Sequence, residues 1–287
     1  RVSRLDVTFS IKLPHARLVQ PCLRFLANVS QGHRRNDTDR RDFYNTVYFG
    51  GVTSPWGGAK IYGKAEELRT EINKLQTKAK TGCTESAKKL VILNDELLLW
   101  SDCVLRFESS NKRKLLEKLG YPFNLWELCR YLGSKKLRNK ALIRLWQYWF
   151  SPIFKALKGN IMDSTDDNQI YDLCKEKLIT YTKSGKPSLT KANNAFNFYQ
   201  LLKSNGWKDV KSRYQPRAFQ LNVKSLVDIG IPRGLLQNLN NQSVQVLPVV
   251  ELLQLQLEKQ FPADYVPPKS AFRGDFRCYL TPHLKVA

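Results

Sequence analysis

The amino-acid sequence predicts an α+β fold, an antiparallel-sheet domain followed by a mostly helical one. Three observations carry this. Period-two alternation marks four short strands in the first part of the chain, at residues 2–10, 43–50, 59–63 and 103–109. From Asn111 onward helical periodicity takes over. The composition, 42% hydrophobic and 25% charged over 287 residues, is that of a globular chain long enough for one large or two ordinary domains.

In order along the chain, residues 2–10 alternate with Ser3, Leu5, Val7 and Phe9 on one face and Arg4, Asp6 and Thr8 on the other. Residues 15–29 suit an amphipathic helix, and the Arg-, Asn- and Asp-dense stretch 31–42 reads as a mobile basic loop. The second strand is followed by Gly50-Gly51 and Pro55-Trp56-Gly57-Gly58, which bracket a turn into the third. Residues 64–80 are helical, with Glu67 and Glu71 four apart and lysines following. Residues 90–100 make another helix before the fourth strand. Helices are then expected at 112–119, 125–132, 136–157, 191–204 and 217–228, with a linker at 159–167 and an extended, proline-containing tail after Phe261. The domain division predicted is 1–135 and 136–287. The chain opens on Arg1 without a methionine, and the first domain is expected to lack its true amino terminus.

Charge narrows the function. Lys and Arg number 47 against 25 Asp and Glu, a net charge of +22. A fold carrying that excess favours a polyanionic partner, and nucleic acid fits because each neutralised phosphate releases counterions. No run of about 18 apolar residues is present to span a membrane. The six cysteines are scattered without a CxxC pair, as expected of reduced thiols inside a cell. His15, His33 and His283 lie too far apart for a metal-ligand spacing, and no phosphate loop, dinucleotide fingerprint or nucleophile elbow occurs.

The strand faces suggest a site. Arg4, Asp6 and Thr8 share one face; Val104, Arg106 and Glu108 share another; Lys60, Tyr62 and Lys64 align if the third strand runs that far. In one antiparallel sheet these would bring two carboxylates, an arginine and a lysine-flanked tyrosine together. Phosphodiester cleavage needs a nucleophile, and a phenol with a pKa of about 10 is mostly protonated at neutral pH. Nearby ammonium groups would favour the phenolate, and Mg²⁺ or Mn²⁺ held by Asp6 and Glu108 would polarise the phosphate. The bland alternative is a solvated strand face, with Tyr62 one of 12 tyrosines.

A series of short collinear stretches resembles the gene II replication proteins of filamentous phages. Val2-Ser3-Arg4-Leu5-Asp6-Val7-Thr8-Phe9-Ser10 is similar to their "SRIDATFS", Leu26-Ala27-Asn28-Val29-Ser30-Gln31-Gly32 to "LRNVSNG", and Asn45-Thr46-Val47 to "STVTW". Lys60-Ile61-Tyr62-Gly63-Lys64 falls where they carry "VAYLK", and Val104-Leu105-Arg106-Phe107-Glu108 matches "LVRFE". Leu119 to Leu125 parallels "FGLPLNL", Phe154 to Gly159 "LFKAFEG", Thr182 to Lys191 "TPSGKTSFAK", and Gly230 to Arg233 "GIPKS".

The resemblance implies a rolling-circle replication initiator: a metal-dependent nickase and strand-joining enzyme acting on phage origin DNA, double-stranded replicative form and single strand, in the host bacterial cytoplasm. Host helicase and polymerase would be its partners, with no membrane involved. Tyr62 would be the nucleophile, assisted by Lys64 and Arg106, with Asp6 and Glu108 on the metal. Arg4, Lys60, Lys183, Lys186 and Lys191 would contact DNA, together with a helical segment reaching Lys203. Gly63 departs from the family, which has a larger residue there, and is expected to loosen the start of the following helix. Met162 would mark the internal start of the shorter gene X product. The rival readings are a non-catalytic DNA-binding replication-control protein and a tyrosine recombinase, whose His-x-x-Arg spacing His33-Arg34-Arg35 does not supply.

Overall fold

The alternating segments pair into one antiparallel four-stranded sheet of order β1-β4-β3-β2, with β1 at Arg4–Lys12, β2 at Thr46–Phe49, β3 at Gly57–Gly63 and β4 at Val104–Lys112. The computed structural model describes residues 1–29, 45–51, 53–93, 95–157 and 166–240, with 253, 256, 260–262 and 265. The basic loop expected at 31–42, Met162 and most of the tail lie outside the described residues.

The sheet has one apolar and one polar face because each strand keeps its alternation. Val7, Ile11, Ile61, Leu105 and Phe107 are at most 3% exposed on the apolar side. Burying each such side chain contributes about 1.5–3 kcal/mol. Two helices cover them: α1 (Val19–Asn28), reached through a short 3₁₀ turn at Ala16–Leu18, and the long α7 (Lys135–Leu157). Phe107 packs edge-on to Phe150 at 5.3 Å between ring centres, and Trp146 does the same to Phe9 at 5.8 Å. Ser109 and Asn111, both fully buried, also sit on this apolar face. Asn111 donates to the Leu5 carbonyl at 2.9 Å and accepts from the Trp149 indole at 3.0 Å, tying β1, β4 and α7 together. At the outer edge of β1, the Gln260 amide accepts from the Ser10 N–H (2.7 Å) and donates to its carbonyl (3.0 Å). That contact covers part of an otherwise open strand edge.

Between β3 and β4 the chain forms α2 (Lys64–Lys80), as expected, and then α3 (Thr84–Ile92) and α4 (Asp95–Asp102), where one helix at 90–100 was expected. Leu93 caps α3 with non-helical backbone, which divides the stretch. The short helices α5 (Arg113–Lys118) and α6 (Leu125–Tyr131) follow β4, which runs on to Lys112 rather than stopping at 109.

A second apolar cluster spans Ile170 to Leu239. It is built by α8 (Asp167–Leu178), α9 (Thr190–Asn205), α10 (Trp207–Arg213), α11 (Pro216–Asp228) and α12 (Arg233–Leu236), with a hairpin of β5 (Thr180–Tyr181) and β6 (Pro187–Ser188) between α8 and α9. Helix α7, which the predicted division assigns to the second domain, contributes its apolar residues to the sheet's core. The two clusters meet at Asn238, whose amide donates to the Phe25 carbonyl and accepts from Asn28 at 2.9 Å. Among the described residues no helix is long and apolar enough to cross a membrane.

Candidate active site

The register puts Arg4, Asp6, Lys60, Tyr62, Arg106 and Glu108 on one face of one sheet. On β3, Lys60 stands opposite Glu108 and Tyr62 opposite Arg106; on β1, Thr8 stands opposite Glu108 and Asp6 opposite Ser110. Directly opposed side chains on one face lie close enough to interact, and diagonal ones remain within reach of long side chains. β4 is central, so Glu108 and Arg106 have a neighbouring strand on each side.

Tyr62 is the centre of this arrangement. Although on the polar face, it is only 7% exposed. Its hydroxyl donates to Glu108 Oε2 at 3.2 Å, and the Lys60 ammonium lies 5.0 Å from its ring centre. Lys60 Nζ in turn pairs with Glu108 Oε1 at 3.0 Å. Burial pushes the Tyr62 phenol well above its ordinary value; the carboxylates of Glu67 and Glu108 push the same way, and Arg106 opposes them without prevailing. This corrects the expectation that neighbouring cations favour the phenolate. The surroundings favour the protonated phenol, so any attack by its oxygen would need a base to take the proton.

Glu67 is the residue the sequence reading missed. It lies in the first turn of α2, which starts two residues after Tyr62, and so returns to the phenol. Partial burial raises its pKa, but a hydrogen bond and the charge of Lys64, 2.7 Å away, outweigh this and hold the carboxyl below its usual range. Its signal in the sequence, a glutamate four residues before another, is that of any solvated helix. Lys64 is not on the strand, which ends at Gly63; it opens α2 and pairs with Glu67. Arg106 is half-buried, and its Nε–H has no hydrogen-bond partner among the described residues. A buried donor left unsatisfied is costly unless a ligand atom completes it.

Gly63 has Asn45 against it at the helix start. Asn45 occupies the space a side chain would need: a Cβ on Gly63 would lie 2.6 Å from Asn45 Oδ1. Asn45 donates from its amide to the Gly63 carbonyl at 3.1 Å and accepts from Gln20 at 3.2 Å. The glycine therefore seats a bracket that fixes the residue after Tyr62.

Two adjoining hollows flank Tyr48 and Lys60. One is lined by Asn45, Tyr62, Glu66, Glu67 and Arg69, the other by Asp6, Glu108, Ser110 and Lys112. Asp6 and Glu108 share the second, each with a cation: Arg4 is 2.9 Å from Asp6. Among the described residues no three His, Cys, Asp or Glu side chains group as metal ligands. Mg²⁺ is satisfied by one or two carboxylates with water and phosphate oxygens, so this oxygen-donor pair fits such an ion. Lys183 and Lys186 lie in the β5–β6 turn rather than on a helix, and Lys191 is the second residue of α9. Lys203 is engaged by Asp167 at 2.6 Å.

Two family models match the chain. That of the N-terminal part of the phage replication-associated protein, the gene II product, matches residues 1–134, and that of its C-terminal part matches residues 181–271. The chain is 32% identical over 270 residues to the replication-associated protein of Enterobacteria phage M13, covering 93% of this chain and 65% of that protein. It is 31% identical over 274 residues to the same-named protein of Salmonella phage IKe, covering 94% of this chain and 64% of that one. The chain thus spans just under two thirds of the length of these relatives. No solved structure matches it. With both family models matched in order and Tyr62, Arg106 and Glu108 within the N-terminal match, the chain belongs to the gene II replication-associated protein family of filamentous phages.

Proposed function

We propose that this chain starts phage DNA replication by nicking one strand at the origin through Tyr62, and that it later rejoins the strand. The observation that carries the reading is the Tyr62 hydroxyl donating to Glu108 beside an Arg106 with an unused Nε–H donor. On this reading Tyr62, opposite Arg106 and beside Glu108 on the same face of β3 and β4, would be the nucleophile, with Glu108 its proton acceptor and Arg106 a phosphate-binding cation.

The chemistry balances on the chain's own residues. The Tyr62 oxygen attacks the scissile phosphorus and a phosphotyrosyl bond forms, while the bond from phosphorus to the 3′ oxygen breaks. The phenol proton passes to the Glu108 carboxylate, with Glu67 as the other carboxylate turned toward the hydroxyl. The departing 3′ oxygen takes a proton from solvent water, Glu108 returns its proton to solvent, and the 3′ hydroxyl is left for a polymerase to extend. Arg106 and Lys60 offset charge on the phosphoryl oxygens, as fixed cations do in phosphoryl transfer. The covalent ester conserves the bond energy, so the reverse attack by a 3′ hydroxyl reseals the strand. A divalent ion held by Asp6 and Glu108 would add Lewis-acid polarisation of the phosphate when bound, and Glu67 would then be the carboxylate that takes the phenol proton.

Incubating the chain with supercoiled plasmid carrying the phage origin, with and without Mg²⁺, tests the proposal. Conversion to open circles that depends on the metal and on the origin supports it. Binding that leaves the plasmid supercoiled, including with the relatives' additional length supplied, favours the replication-control reading instead.

A further inference from the structure

Helices α9, α10 and α11 share an aromatic core inside the second cluster, with α8 packed on another side of α9. α9 packs against both α10 and α11. Phe219 of α11 meets Phe198 of α9 at 5.5 Å and Trp207 of α10 at 4.9 Å between ring centres, both edge-on. Gly206, at φ 82°, makes the turn between α9 and α10, a backbone that residues with side chains rarely adopt. Between α10 and α11 stand only Tyr214 and Gln215, both extended, followed by Pro216 at the helix start. Two extended residues swing the second axis away from the first, and the proline stops α10 from running on.

A short helix, a tight turn and a longer helix on a three-helix core is the helix-turn-helix arrangement, in which the second helix enters the major groove. The surface agrees. α11 buries Phe219, Val223 and Leu226, each at most 1% exposed, and turns Arg217, Gln220, Leu221 and Lys224 outward at spacings of three and four. Leu221 is 58% exposed in the middle of that polar stripe. Arginine and glutamine are the side chains that pair bidentately with guanine and adenine, and an apolar tip suits a thymine methyl. On α10, Lys208 and Lys211 are exposed where the first helix would cross the backbone. From Thr180 to Asp228 the chain carries nine Lys and Arg against two acids, Asp209 and Asp228. A merely solvated helical surface mixes both signs.

We propose that α9–α11 reads the sequence of double-stranded DNA, with α11 in the major groove and Lys208 and Lys211 on phosphates. The proposal deepens the origin reading by naming a recognition element apart from Tyr62, and it needs no tyrosine chemistry. Gln220 Oε1 accepts a long 3.4 Å bond from Arg233, which orients its amide and leaves it able to turn toward a base.

The test uses the full chain in EDTA, so that nicking plays no part, with a pool of random linear DNA duplexes. Wild type is expected to enrich a motif. Arg217→Ala and Gln220→Ala are each expected to reduce preference for the enriched duplex over a shuffled one roughly tenfold, with unchanged thermal melts and intact weak binding to the shuffled DNA. Lys208→Ala with Lys211→Ala is expected to weaken both duplexes alike and to lower the salt slope by about two. The proposal falls if no motif is enriched or if the α11 variants keep the full preference. It also falls if double-stranded RNA of equal length competes as well as the enriched duplex. Loss of nicking in other assays would leave it standing.

Discussion

The Tyr62 hydroxyl and the Glu108 carboxylate face each other across the β3–β4 pair, with the hydroxyl donating at 3.2 Å. Glu108 is held in turn by Lys60, its cross-strand partner. The pair joins a phenol kept protonated by its surroundings to a carboxylate already in position to receive the proton. Glu108→Gln keeps the size and the hydrogen bond but removes the basicity. Single-turnover formation of the protein–DNA adduct is expected to slow about 10²–10⁴-fold, the usual contribution of a positioned base. An unchanged rate would pass the role to Glu67.

The same environment predicts an alkaline signature. Burial and the two carboxylates raise the Tyr62 pKa in the folded state, so the phenol's contribution to stability is complete below about pH 10 and is lost as pH rises above it. Each pH unit beyond costs up to about 1.4 kcal/mol for one proton. Tyr121, pushed up to about 12 mainly by burial, adds a loss of the same sign. Urea midpoints between pH 8 and 11 should therefore fall for wild type and fall less steeply for Tyr62→Phe, with Tyr121 common to both.

Asn111 predicts a stability effect remote from the chemistry. Replacing it by leucine removes its buried bonds to the Leu5 carbonyl and from the Trp149 indole. The expected cost is about 2–4 kcal/mol in denaturant unfolding, since bonds lost in a buried place are not replaced by bonds to water.

Gly57 predicts a larger one. It has φ 114°, and a Cβ there would lie 1.8 Å from the Ser110 carbonyl oxygen of the neighbouring strand. Gly57→Ala is expected to separate β3 from β4 at the end of their ladder, at a cost of about 3 kcal/mol or more. Gly51→Ala, with nothing within 4 Å of the added carbon, is the matched control.

The sheet was legible because alternation over Arg4–Lys12 and Val104–Lys112 leaves each strand one burial pattern, and one face then follows from pairing. The register is not written in any single strand, so the opposition of Tyr62 to Arg106 and of Lys60 to Glu108 needed the structure. Glu67 was invisible because its place depends on how α2 leaves β3. The β5–β6 hairpin escaped because its strands are two residues long and one contains a proline. Helix α8 does carry a readable start: Asp166 caps it by accepting from the Asn168 and Gln169 N–H groups. The acidic stretch preceding it reads as a linker and masks that signal. α10 is only seven residues long, too short for periodicity to distinguish it from a turn.

The most direct measurement is to trap the adduct on origin DNA with Mg²⁺, digest both components and map the modified peptide by mass spectrometry. The account predicts a nucleotide mass on the tryptic peptide Ile61-Tyr62-Gly63-Lys64, lost in Tyr62→Phe. A nucleotide on a peptide carrying Tyr48 or any other tyrosine, or an adduct that persists in Tyr62→Phe, would contradict it.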